Sequence, residues 1–215
     1  MVSLLLRVLP LAFGAAVSPT VLAVIVLLLA HAKTRRNAVA FAIGTAVVSV
    51  AIGLAILFVF HQALEAHHDS TGHRSAVVDV VLGVALLALA VRELVAKPKA
   101  KEPKATHLGV GSAFVLGCAV MAANFSSLVL YLAGLKEIVR ADVATTSELV
   151  VTAVFIVIML LPVELPLLLT VVAPASSQRI LTGIGASVKR HAHTITIVVL
   201  VIFGAYLLVK GVLKL

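Results

Sequence analysis

The chain has 215 residues, of which 62% are hydrophobic and only 12% charged, with a mean hydropathy of +1.20. A soluble domain is about half apolar and about a quarter charged, so this chain has too little polar surface to coat itself in water and reads as an integral membrane protein. The net charge of +8 lies between the apolar runs, without zinc-finger spacing or an aromatic–basic motif, which argues against nucleic acid; the single cysteine, Cys118, excludes an intrachain disulfide and a CxxC redox site.

Six apolar runs follow in chain order: Leu4–Ala30, Val39–Phe60, Ala76–Val91, Leu108–Leu135, Leu149–Val172 and Thr194–Val209. A crossing helix needs about 20 residues, so the third and sixth runs must extend into their flanks. Long runs without alternation predict helices, not barrel strands. The first run could pass for a signal peptide, with Arg7 and then the small residues Gly14-Ala15-Ala16. It continues past Ser18-Pro19 to Ala30, beyond the core of a cleaved signal, and is read as a retained first span.

The basic residues orient the spans. The loops after spans one, three and five hold Lys33, Arg35, Arg36, Arg92, Lys97, Lys99, Lys101, Lys104, Arg179, Lys189 and Arg190; the other side holds Arg7, Arg74, Lys136, Arg140, Lys210 and Lys214. The eleven-to-six asymmetry puts the first set in the cytoplasm and both termini outside. The Pro/Lys-rich stretch Lys97–Lys104 marks a solvated linker. The predicted organisation is therefore a three-helix repeat over 1–92, a basic linker over 93–107 and a second repeat over 108–215.

Three spans per half is an odd number, so homologous halves would form an inverted repeat. "SPTVL" at Ser18–Leu22 and "NFSSL" at Asn124–Leu128 sit centrally in spans one and four. "GVALL" at Gly83–Leu87 and "GAYLL" at Gly204–Leu208 sit in spans three and six. The expected fold is all-α, with six spans as a 3+3 inverted repeat broken in spans one and four.

Ser18 before Pro19 is the pattern of a helix start: serine is a favoured N-cap and proline is tolerated at the first helical position. Asn124 is a second candidate cap, followed by Ser126 and Ser127. Helix N-termini carry free N–H groups and partial positive charge. Two of them meeting at mid-membrane would favour an anionic or strongly polar group. Ser18, Pro19, Thr20, Asn124, Ser126 and Ser127 are the candidate substrate-binding residues; the alternative is a simple proline kink satisfied by neighbouring helices.

On "AVSP" (Ala16–Pro19), "KTRRN" (Lys33–Asn37) ahead of "FAIG" (Phe41–Gly44), "NFSSL" and the doubly prolyl "LPVELPLLL" (Leu161–Leu169), the chain resembles the LysE superfamily of six-span exporters. Within it, the chain is similar to the actinobacterial glycopeptidolipid- or sulfolipid-addressing proteins. That resemblance implies movement of a glycolipid or other lipid toward the cell surface. Phe125 stands where the family usually has a proline.

Glu164, between Pro162 and Pro166 in span five, is the candidate proton-coupling or gating carboxylate, because an ionised group at that depth costs about 2.5–3.5 kcal/mol or more. The alternative is a neutral glutamic acid bonded to a neighbouring helix or to a carbonyl freed by proline. Asp79 is expected near the outer face as an interfacial or helix-start charge; Arg92 and Lys210 are expected to snorkel. His61, His67, His68 and His73, with Glu65 and Asp69, are irregularly spaced in a loop and read as a solvated or pH-sensitive patch in preference to a metal site. Ser49-x-x-x-Gly53 and Gly14-x-x-x-Ser18 suggest close helix packing.

The function expected is transport or export of a glycolipid or other amphipathic or anionic substrate across or out of the plasma membrane. A LysE-type exporter of amino acids or metal cations and a non-transporting scaffold of a lipid-export complex are the alternatives. No enzyme, cofactor or metal is expected, and the expected partners are the bilayer, a lipid substrate, and a second copy or an export machinery.

Overall fold

The computed structural model describes residues 2–29, 35–65, 71–95, 109–141 and 143–213. Among them are eight helices and no strand: α1 Val2–Ala16, α2 Pro19–Leu29, α3 Arg35–Glu65, α4 Thr71–Val95, α5 Val110–Ala122, α6 Phe125–Val139, α7 Thr145–Val172 and α8 Pro174–Val212. Helices are forced by composition: with no water to pair backbone groups, apolar stretches must satisfy them internally.

Among the described residues three helices are long and apolar enough to cross a bilayer, at Arg35–Phe60, Thr145–Val172 and Arg190–Val212. Two bent pairs qualify when each is taken as one span: Ser3–Ala16 with Pro19–Leu29, bent by 57°, and Val110–Ala122 with Phe125–Val139, bent by 65°. That makes up to five of the six spans expected; α4, which carries Asp79, Arg92 and Glu93, is not among them. The two bends fall where breaks were predicted in the first and fourth apolar runs. Large apolar residues face outward on most helices, including Phe13, Phe58, Val115 and Val172, which suits lipid and not water.

The helices pack around two apolar clusters. One gathers Leu4, Val8 and Leu11 of α1, Leu57 of α3, Leu130, Tyr131 and Leu135 of α6, and Phe155 and Met159 of α7. The other gathers Val21, Val24, Ile25 and Leu28 of α2, Phe41 of α3, Val163 of α7 and Leu181 of α8. The first break separates them: α1 enters one cluster and α2 the other. α3 and α7 run through both.

α4 packs along α8 and α3 along α5; α1 packs against α6 and α7, and α2 against α7 and α8. Glycines permit the two long pairings. A methyl group at Gly44 would collide with the Phe114 carbonyl, and one at Gly117 with the Phe41 carbonyl, so α3 and α5 meet backbone to backbone, as small residues allow in membranes. A Cβ at Gly83 would lie 2.7 Å from Leu208 N, and one at Gly204 2.9 Å from Leu87 Cγ, which sets α4 close on α8.

Two expectations need correction. Residues 174–193 were read as a loop before the sixth span, yet α8 is continuous from Pro174, because Leu181 is buried in the α2 cluster and Ser177 is also buried. Residues 93–95, assigned to the linker, still belong to α4. α7 stays helical through Pro162 and Pro166, neither of which can donate to the carbonyl four residues before it. The remainder of the expected linker, 96–107, and positions 66–70 of the histidine segment lie outside the described residues.

Candidate functional site

The first break follows from one residue. In an unbroken helix the Ala15 carbonyl would accept the N–H of residue 19, but residue 19 is proline and has none. α1 therefore unwinds, with Val17 N donating to Gly14 O at 3.2 Å and Ser18 N to Ala16 O at 2.8 Å. α2 restarts at Pro19, and its first α-type bond runs from Leu22 N to Ser18 O at 3.1 Å. Ser18 caps it as its sequence position implied: Oγ accepts from Val21 N, though at a long 3.5 Å.

The second break is built differently. Asn124 occupies the N-cap position of α6, but its side chain makes no capping bond. Its Nδ2 instead donates to Ser18 Oγ at 2.9 Å, and its Oδ1 accepts from Ser126 Oγ at 3.1 Å. Ser127 Oγ donates to Ala15 O at 2.7 Å. That carbonyl is the one Pro19 cannot serve, so the second break supplies the donor that the first one lacks. Leaving such a group unpaired away from water would cost about 1–3 kcal/mol.

Four of the six candidate residues, Ser18, Asn124, Ser126 and Ser127, thus form one hydrogen-bonded junction between the halves of the chain. Ser18 and Ser127 are buried; Asn124 and Ser126 are half-buried. Pro19 shapes the break without a polar atom to offer. Thr20 is exposed and joins none of these bonds. Beside the junction, Val17 forms a groove of about 450 Å³ with Ser187, His191, Thr194, Ile195, Val198 and Val199 of α8.

Glu164 lies half-buried on α7, next to Val163 of the α2 cluster. Among the described residues no hydrogen bond or ion pair engages it, so neither bond of the alternative reading, to a neighbouring helix or to a proline-freed carbonyl, is formed. The two small-residue spacings do pack closely, but against rings in place of a helix backbone. Tyr131 OH sits over Gly53 and donates to Ser49 O at 3.1 Å, and the Phe203 ring sits over Gly14.

The charged residues depart most from expectation. Asp79 is fully buried among the helices, and it forms an ion pair with Lys136, itself only 3% exposed. Lys210 is partnered: its Nζ lies 2.9 Å from Glu137 Oε1 and 5.7 Å from the Tyr206 ring centre. Lys136 also lies 4.0 Å from Glu137 Oε1. Charges on α4, α6 and α8 therefore meet inside the bundle. Nothing local in the sequence could have paired them, since each stands near the end of its run, where an interfacial position is the default.

Three apolar helices of crossing length and two bent helix pairs, with the bends bonded to each other, define a polytopic membrane protein with broken helices. A family model described as Sap, sulfolipid-1-addressing protein, matches residues 8–213, and the chain belongs to that family. Neither the curated proteins nor the solved structures give a match.

Proposed function

We propose that the protein carries a lipid with an anionic or sugar-bearing head group across or out of the plasma membrane, and that the Ser18–Asn124 junction holds the head group. The observation that carries this reading is the 2.9 Å bond from Asn124 Nδ2 to Ser18 Oγ. It brings the starts of α2 and α6 together, and with them the partial positive charge of two helix ends. An anionic head group accepting from Asn124 and the serine hydroxyls would replace a neutral bond with charge-assisted ones, each worth about 1.5–3 kcal/mol. The groove beside Val17, walled by Ile195, Val198 and Val199, suits an acyl chain. The family description names a sulfolipid, and a sulfated head group has the chemistry this junction favours.

The transport cycle proposed is that of a six-span inverted repeat, with α4 as the sixth crossing. Two observations support it. Exchanging α1–α4 with α5–α8 turns the α3–α5 pairing into α7–α1, α2–α7 into α6–α3, and α2–α8 into α6–α4, all of which occur, whereas α1–α6 and α7–α8 have no counterpart packed to the same extent. Across the self-paired α4 and α8, Gly83 meets Leu208 while Gly204 meets Leu87, the reciprocal contact of a two-fold axis. The basic asymmetry then sets orientation. In a Cys118→Ser background, a cysteine at Thr145 should be labelled from outside and one at Ala100 only after permeabilisation. Labelling of Ala100 in intact cells would reverse the topology.

The test of function is reconstitution in liposomes with labelled lipid extract and an assay of the outer leaflet. Lipid movement that depends on Asn124 supports the proposal. Movement of amino acids or metal ions in the same vesicles would favour a solute exporter, and no movement of either would favour a scaffold.

A further inference from the structure

The groove beside Val17 is graded along its length. Its wall on α8 is one stripe of that helix: Ser187, His191, Thr194, Ile195, Val198 and Val199. Spacings of three and four residues put them on one face. The first three are polar and exposed; the last three are apolar. From Ser187 to Val199 is about 18 Å at 1.5 Å per residue. The part of α8 long and apolar enough to cross a bilayer begins at Arg190. The polar end of the groove therefore stands where the crossing starts, and the apolar end runs inward from it. Head group and acyl chain follow the same order in a leaflet. The volume of about 450 Å³ lies within the roughly 300–1,000 Å³ of ligand clefts in which a few polar groups fix orientation.

The polar end also selects the kind of head group. His191 Nδ1 lies 3.0 Å from Ser187 O. A backbone carbonyl only accepts, so Nδ1 carries the hydrogen and the neutral ring offers Nε2 as an acceptor. A free acceptor is a poor partner for an anion and a good one for a hydroxyl. Among the described residues nothing bonds the hydroxyls of Ser187 and Thr194, each of which can both donate and accept. The neighbouring His193 is turned to other use: it lies off the groove, 4.0 Å from Glu93 of α4.

We infer that Ser187, His191 and Thr194 recognise the sugar hydroxyls of a glycolipid whose acyl chain lies along Ile195, Val198 and Val199. That the occupant is a lipid rests on the transport reading; that it carries a sugar follows from the donors and acceptors on α8. Sugar hydroxyls donate to His191 Nε2, and sugar oxygens accept from Ser187 and Thr194. Val17, the other wall of the groove, directly precedes Ser18, so an anionic substituent on the sugar has the junction as its neighbour. A lipid without a sugar leaves the three polar side chains to water and gains nothing from them.

The test is photolabelling, which reads occupancy without movement. The full chain in nanodiscs of zwitterionic lipid receives galactosylceramide with a diazirine in the middle of its acyl chain, or ceramide with the same chain, and the labelled positions are mapped by mass spectrometry. Galactosylceramide should label α8 around Val198 and Val199 roughly tenfold more than ceramide does, as two neutral hydrogen bonds imply. His191→Phe with Thr194→Val keeps both shapes but removes the acceptor and a hydroxyl. It should bring that ratio close to one and leave ceramide labelling as in the wild type. His193→Phe should keep the wild-type ratio. Equal labelling of the wild type by both probes overturns the inference, as do labels spread evenly over the lipid-facing helices, a ratio that survives the double variant, or one lost in His193→Phe. A chain that shows the preference but moves no lipid in the liposome assay keeps the site and loses the transport reading. One that moves lipid without the preference loses the sugar site alone.

Discussion

The two ends of α6 solve the problem of polarity in an apolar bundle in opposite ways. At its start, Asn124, Ser126, Ser127 and Ser18 are neutral and share several bonds, among them the donor that Pro19 withholds from Ala15. At its end, Asp79 and Lys136 are charged and buried, and among the described residues Asp79 relies on a single partner. A shared neutral network can exchange one bond for a substrate's and lose little. A buried pair cannot give up one member without stranding the other, so it behaves as an all-or-none contact. The first suits binding; the second suits switching.

The comparison breaks most visibly if the charged end is cut. Lys136→Met strands Asp79, and removing one partner of a buried pair costs about 3–5 kcal/mol. Asp79→Asn with Lys136→Met removes both charges and should recover most of that loss. Thermal unfolding in detergent at neutral pH measures both. Equal destabilisation by the single and the double variant would mean that the pair is no tighter than a surface contact.

The neutral end should respond less, and in a way that identifies its cause. Ser127→Ala leaves the Ala15 carbonyl without a donor, at about 1–3 kcal/mol. Adding Pro19→Ala returns the missing N–H at residue 19, so the double variant should be more stable than Ser127→Ala alone. It should also straighten the 57° bend between α1 and α2, and lipid movement should fall although stability rises. If Pro19→Ala gives no rescue, Ser127 does not stand in for the proline.

This contrast also explains what the sequence disclosed. Ser18-Pro19 is a local signal: capping and the absent N–H act within four residues, so the first break could be read directly. Asn124 was legible as a position, but its use was not, because its partner Ser18 lies in the other half of the chain. Asp79 and Lys136 were both taken for surface charges, since only the packing of α4 on α6 brings them together. The start of α8 misled for a similar reason. Its Ser, Gln, Arg and Lys residues look like a loop, whereas Leu181 docks on the α2 cluster and keeps the helix intact. Pattern reports on what a residue does to its own turn of helix, and charge pairing across helices leaves no pattern.

Glu164 is the sharpest remaining test, because it should produce the smallest effect. Its depth in span five made it the first candidate for coupling, yet it is half-buried and among the described residues engages no partner. A carboxyl without a partner has nothing to release when a helix moves. Glu164→Gln keeps the shape and removes the charge, so stability should change by no more than about 0.5 kcal/mol, as for substitutions away from specific contacts. Lipid movement in the liposome assay should persist in this variant. Loss of lipid movement in Glu164→Gln at unchanged stability would instead make this carboxylate of α7 part of the transport step.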